Sequence, residues 1–135
     1  MRKVLITGIT GQDGAYLSEF LTNKGYEVYR VYRRLSTPNF WRLQHLNVFN
    51  KINLISADLA DSGSLNEAVR VADPDEIYHL AAQSFVETSF ETPVSTGDIT
   101  GIAITRILEA IRHHNQNAKF YFASTSEMYG YSDPC

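Results

Sequence analysis

The 135 residues are 44% apolar and 20% charged, with a net charge of −3, which is the composition of one globular domain with its own core rather than of a disordered chain. That balance leaves no basic face for nucleic acid, and the nearest approach to a cluster is Arg30, Arg33 and Arg34. The single cysteine, Cys135, has no disulfide partner, no apolar run approaches a membrane span, and "MRKVLITG" lacks the apolar core of a secretory leader, so the expectation is a cytoplasmic protein.

Apolar runs and helical periods then alternate along the chain. "KVLIT" (3–7) is short, β-branched and apolar on both faces, as in a strand buried in a parallel sheet. "GITGQDG" leads into a helix in which Tyr16, Leu17, Phe20 and Leu21 share one face and Gly25 marks the stop. "EVYRVYR" (27–33) reads as a second strand. Residues 34–50 are broken by Pro38 and have room for a short helix in "FWRLQHLNVF", with Phe40 and Trp41 expected to pack under a loop. "INLISAD" (52–58) reads as a third strand, followed by a helix around Leu65, Ala68 and Val69 that ends before Pro74. "EIYHLAA" (76–82) is the fourth strand. After Pro93 comes the longest helical pattern, with Ile104, Leu108 and Ile111 at i, i+4 and i+7, and "KFYFAST" (119–125) is the fifth strand.

Strands alternating with helices imply right-handed crossovers and a parallel sheet covered on both faces. The expected fold is therefore α/β: a Rossmann-like, doubly wound parallel sheet of five strands in the order 3-2-1-4-5, with residues 1–135 as one domain. Ligands in such sheets sit at the strands' carboxyl ends, beside the switch point between strands 1 and 4. "GITGQDG", "AAQS" and "STSE" all fall on that edge.

Gly8, Gly11 and Gly14 are spaced GxxGxxG between a buried strand and an amphipathic helix. That setting suits a tight turn and close backbone approach to a pyrophosphate at a helix N-terminus, and it is preferred to a plain glycine turn. At the end of strand 2, where an acidic residue would bind the ribose hydroxyls of NAD, the chain has Arg33 and Arg34, with Ser36 close behind. Guanidinium groups suit a 2′-phosphate, so NADP is expected over NAD, against the simpler reading of two solvated arginines. Asp58 and Leu59 follow strand 3, where a carboxylate can meet the adenine amino group or simply close a turn. "STSE" by itself is as compatible with a helix cap as with an acid–base site. His113 and His114 read as a solvated helix end, and no metal site is expected.

Together, "TGITGQDGAYLSEFLTNKGYEV", "RR", "DL", "IYHLAAQSFV" and "FYFASTSEMYG" resemble the extended short-chain dehydrogenase/reductases, and within them the GDP-mannose 4,6-dehydratase family, over essentially the whole chain. The resemblance implies that Gly8, Thr10, Gly11, Gln12, Asp13 and Gly14 hold the pyrophosphate. Arg33, Arg34 and Ser36 would hold the 2′-phosphate, and Asp58 and Leu59 the adenine. Leu80, Ala81, Ala82, Gln83 and Ser84 would line the nicotinamide ribose and hexose, with Ser84 and Ser126 meeting the sugar. Thr125 would position the sugar's 4-hydroxyl and Glu127 would act as acid–base. It further implies a nucleotide-sugar lyase, most simply one acting on GDP-mannose, that forms homo-oligomers at full length. The family's tyrosine base, in a Tyr-x-x-x-Lys motif, has no counterpart in these 135 residues, nor does its substrate lobe. The chain alone is thus expected to bind a dinucleotide without turnover, and to expose apolar surface at a severed sheet edge and an uncovered cleft, with self-association or poor solubility as the consequence. A 4-epimerase, another sugar-nucleotide dehydratase and a non-catalytic nucleotide-binding module are the competing expectations.

Overall fold

In the computed structural model the described residues are 1–34, 36, 37 and 39–130, without the side chains of Ser126 and Glu127. Five parallel strands form one sheet in the order β3-β2-β1-β4-β5: β1 (Lys3–Thr7), β2 (Glu27–Tyr32), β3 (Asn53–Ser56), β4 (Glu76–His79) and β5 (Lys119–Phe122). This is the strand order expected from the sequence. Strands β2 to β5 each stop short of the predicted ends, because the chain leaves the ladder at the sheet's carboxyl edge to build loops.

Helix α1 (Gln12–Asn23) connects β1 to β2, and α2 (Trp41–His45) lies between β2 and β3. Helix α3 (Ser62–Ala72) links β3 to β4. Three segments link β4 to β5: α4 (Val86–Glu91), α5 (Pro93–Thr96) and α6 (Ala103–His114), with a π-helical turn over Gly97–Ile102 before the last. Asp61 starts α3 by accepting hydrogen bonds from the backbone N–H groups of Gly63 and Ser64, and Asp73 ends it in the left-handed conformation at φ 40°. No helix among the described residues is long and apolar enough to cross a membrane.

The sheet separates two cores. On one face Val4, Ile6, Val28 and Leu43 pack with Ala15 and Leu21 of α1. On the other, Leu5, Val31 and Ile77 pack with Leu65, Ala68, Val69 and Ala72 of α3 and Ile107, Ala110 and Ile111 of α6. The apolar alternation of β1 and β4 across these two faces follows from their central position, whereas β3 at the edge is largely exposed.

Four expectations about side chains need correction. In α1 the buried residues are Gly14, Ala15, Ser18 and Leu21, while Tyr16 and Phe20 are more than half exposed. In α6 they are Ala103, Ile107, Ala110 and Ile111, with Leu108 turned outward. In both helices small residues take the sheet side, because they allow the backbones to approach closely. Phe40 does pack, against Tyr32 and Phe49 at ring separations of 5.5 and 5.3 Å, but Trp41 is exposed, with Arg42 stacked over its ring. Arg30 is not on the surface: it is fully buried, its guanidinium 5.2 Å from the ring centres of both Phe40 and Phe49. None of its side-chain nitrogens has a hydrogen-bond partner, and burial pulls its pKa down to about 10.

Large apolar side chains are exposed around α4 and α5, where Phe85, Val86, Phe90 and Val94 lie open, and Tyr121 is exposed on the edge strand β5.

Candidate functional site

A cleft of about 400 Å³ opens at the carboxyl edge of the sheet, over the switch point between β1 and β4. Its wall begins where β1 ends. Gly8 has φ 75°, a conformation that costs an L side chain about 1 kcal/mol or more. A Cβ there would also fall 2.7 Å from the Ala81 nitrogen and the Leu80 carbonyl carbon, so only glycine lets the β1 and β4 loops touch. Gly14 has the complementary task. A Cβ at that position would lie 2.6 Å from the Gly8 oxygen, so its absence lets the first turn of α1 rest on the loop. Gly11, whose N–H bonds the Gly8 carbonyl at 3.0 Å, caps the helix and lines the cleft with Gly8, Ile9 and Thr10. The Thr10 carbonyl accepts from the Arg42 guanidinium at 2.8 Å, tying the loop to α2.

The opposite wall is formed by Leu80, Ala81, Ala82 and Ser84 after β4. Thr7 fixes its start. The Thr7 hydroxyl accepts from the Ala81 N–H at 3.3 Å and lies 2.7 Å from Nδ1 of His79. His79 is fully buried, stacked on Phe120 and Phe122, and its Nε2 has no hydrogen-bond partner. Burial lowers its pKa to about 4, which keeps the ring neutral at physiological pH.

Arg33 lines the far end of the cleft beside Val31 and Tyr32, together with Ala57, Asp58 and Leu59 after β3 and Ile99 of the π-helical turn. Asp58 does close a turn: its Oδ1 accepts from the Ala60 N–H at 2.9 Å.

Ten of the residues anticipated for a cofactor therefore meet in one cleft: Gly8, Thr10, Gly11, Arg33, Asp58, Leu59, Leu80, Ala81, Ala82 and Ser84. Others do not line it. Gly14 is buried beneath the loop, and Gln12 instead borders a hollow between α1 and α2 with Tyr16 and Trp41. Asp13, Arg34 and Ser36 are exposed outside the lining. The Gln83 side chain turns away to bond the Phe85 backbone in both directions. Thr125 is exposed beyond β5, after Ser124 at φ 59°, and also lies outside the lining. The short 3₁₀ turn Ser126–Tyr129 follows it. The expectations for Ser126 and Glu127 fall on side chains outside the described residues.

Sequence reasoning missed six of the lining residues, among them Thr7 and Ile99. Thr7 passed as one more β-branched strand residue, and Ile99 sits in a turn that no local pattern announced.

The family model described as GDP-mannose 4,6 dehydratase matches residues 5–134. GDP-mannose 4,6 dehydratase 1 of Arabidopsis thaliana is 48% identical over 98% of this chain and 40% of its own length. The GDP-mannose 4,6-dehydratase of Yersinia enterocolitica is 47% identical over 96% and 37%, and that of Drosophila melanogaster 47% over 93% and 34%. The chain thus spans about two fifths or less of the curated relatives it matches. Among solved structures, a UDP-glucose 4-epimerase of Thermus thermophilus in complex with NAD is 31% identical over 83% of this chain and 34% of its own, at a TM-score of 0.70. The UDP-Glc/GlcNAc 4-epimerase of Campylobacter jejuni aligns at a TM-score of 0.83 over 96% of this chain and 39% of its own, and at 23% identity it speaks for the fold alone.

Proposed function

The chain belongs to the GDP-mannose 4,6-dehydratase family, and we propose on that footing that residues 1–135 are the NADP-binding part of an enzyme converting GDP-mannose to GDP-4-keto-6-deoxymannose. The observation that carries the reading is the cleft itself. The glycine loop with Gly8 and Gly11, Arg33 after β2, Asp58 and Leu59 after β3 and Leu80, Ala81, Ala82 and Ser84 after β4 converge there from loops far apart in sequence. A helix N-terminus opening onto a glycine loop favours a pyrophosphate, and a guanidinium at the end of β2 favours a 2′-phosphate. The donor set therefore fits a phosphorylated dinucleotide.

In this reading Gly8, Thr10, Gly11, Gln12, Asp13 and Gly14 form the pyrophosphate loop, Arg33, Arg34 and Ser36 hold the 2′-phosphate, and Asp58 and Leu59 meet the adenine. Leu80 to Ser84 wall the nicotinamide ribose and the hexose, and Ser84 and Ser126 contact the sugar. When bound, the cofactor supplies the hydride acceptor for C4 of the sugar and returns hydride to C6. The chain's own work is proton handling and positioning. Thr125 holds the sugar's 4-hydroxyl. Once C4 is a ketone the C5 proton is acidified, and Glu127 takes that proton and gives one to the departing C6 hydroxyl, which leaves as water; C5 regains a proton at the end, matched by the one released from the 4-hydroxyl. The tyrosine–lysine pair that accepts the 4-hydroxyl proton in the family is not among these residues, since no tyrosine here has a lysine four positions on. The 135 residues are accordingly expected to bind cofactor without turnover.

NAD is the competing cofactor, because the Thermus thermophilus epimerase structure contains it. Arg33 in the lining favours NADP. Calorimetric titration of the chain with each cofactor separates them: tighter binding of NADP supports the proposal, and equal affinity or a preference for NAD sinks the 2′-phosphate assignment.

A further inference from the structure

Arg106 stands on the first turn of α6, outside every motif that the sequence offers, yet its guanidinium joins two walls of the cleft. Nη1 donates to the Leu59 carbonyl at 3.0 Å and reaches the Asp98 carbonyl at 3.4 Å, while Nη2 donates to the Asp98 carboxylate at 2.7 Å. Leu59 lines the cleft after β3, and Ile99, the neighbour of Asp98, lines it from the π-helical turn. That turn is fastened to the third wall as well, because Thr100 Oγ1 accepts from the Gln83 N–H at 3.1 Å. The ion pair is largely shielded, with side-chain exposures of 19% for Arg106 and 31% for Asp98. The positive charge also reaches the cap of α3. There it adds to the hydrogen bonds from Ser64 and Gly63 that hold the Asp61 carboxyl below its ordinary range.

We propose that Arg106, through Asp98, is a positioning residue that sets Leu59 and Ile99 as the adenine wall of the cofactor cleft; this rests on the dinucleotide reading above. The adenine half lies at this end because β2 and β3, not β4, flank the ribose position in a sheet of this order. A planar fork with several N–H groups can serve a carboxylate and two carbonyls at once, which a lysine ammonium on its flexible stem cannot do from one position. A π-helical turn is a costly element that recurs at functional sites. Here it turns Asp98 toward Arg106 and Ile99 toward the cleft.

The test is a two-dimensional NMR titration of the 135-residue chain with NADP, with adenosine 2′,5′-bisphosphate and with nicotinamide mononucleotide. Arg106→Met and Arg106→Lys are each expected to weaken the adenine half and NADP about tenfold, leaving nicotinamide mononucleotide within about twofold of the unsubstituted chain. Asp98→Asn keeps an acceptor for Arg106 and is expected to fall between. A merely structural role would weaken both halves alike, so equal losses overturn the assignment, as does no loss in either arginine variant. Retained nicotinamide mononucleotide binding and a folded two-dimensional spectrum in each variant guard against reading simple unfolding as an effect. If the unsubstituted chain binds neither NADP nor the bisphosphate, the dinucleotide reading itself fails and takes this inference with it. If that chain binds both and the variants match it, only Arg106 is displaced.

Discussion

His79 should make the fold sensitive to mild acid. Its ring is fully buried and its pKa falls from 6.5 to about 4 in the folded state, the cause being burial. A pKa lower in the native than in the unfolded state means that the unfolded chain binds the proton first, so stability rises with pH through this window. The contribution is complete above about pH 6.5, declines as pH falls, and is gone below about pH 4. Linkage over that interval makes the loss between pH 7.5 and 5 about 2 kcal/mol. For a domain with a total stability of about 5–15 kcal/mol that is a visible fraction. The assay is urea denaturation at several pH values, run beside His79→Asn, whose side-chain oxygen still faces the Thr7 hydroxyl but does not titrate. The carboxylates whose pKa values are lowered, Asp61, Glu67 and Glu109, contribute mainly at lower pH and alike in both proteins, so the difference isolates the histidine. Equal slopes from pH 7.5 to 5, or a His79 ring proton titrating near 6.5 by NMR, would refute the argument.

Three further outcomes follow from the same geometry. Arg33→Glu should cost NADP at least tenfold more affinity than NAD, because it removes a cation and places an anion at the 2′-phosphate end; calorimetry with equal losses would remove Arg33 from that role. Gly8→Ala should lower stability by about 2–4 kcal/mol, combining positive-φ strain with overpacking against the β4 loop, and an unchanged urea midpoint would contradict the close approach to Ala81. Arg30→Met should raise stability. Desolvation that lowers its pKa to about 10 costs about 3 kcal/mol at neutral pH, and stacking on Phe40 and Phe49 returns about 1–2. The net gain is therefore about 1–2 kcal/mol, and a lower midpoint in the variant would show that the rings hold the cation better than this.

The strand order and the glycine cradle could be read in the sequence because each is local chemistry. A β-branched run, three glycines and a helix period sit within one crossover, and right-handed connection leaves few ways to arrange five such units. Asp61 starts α3, and Asp73 and Gly25 close α3 and α1, as their types suggest. Arg106 and Thr7 could not be read so, because what they do is defined by Leu59 and Ala81, partners 47 and 74 positions away in the chain. Arg30 misled for the converse reason. An arginine between Tyr29 and Val31 looks like the solvated side of a strand, and only Phe40 and Phe49, arriving from the next crossover, enclose it.

The two misplaced helix faces have one cause, and it bears on the site. Counting large apolar residues put Tyr16 and Phe20, or Ile104 and Leu108, toward the sheet. Yet a Cβ at Gly14 would lie 2.6 Å from the Gly8 oxygen, and that close approach fixes the rotation of α1. Once Gly14 faces the loop, Ala15, Ser18 and Leu21 face the sheet by helical spacing, and Tyr16 and Phe20 can only face outward. The glycine spacing that announces the cradle therefore also determines the buried face. Helix α6 is set in the same way by Ala103 and Ala110, and that rotation carries Arg106 to Leu59. Small residues on the inner faces of both helices are what bring the walls of the cleft within reach of one another.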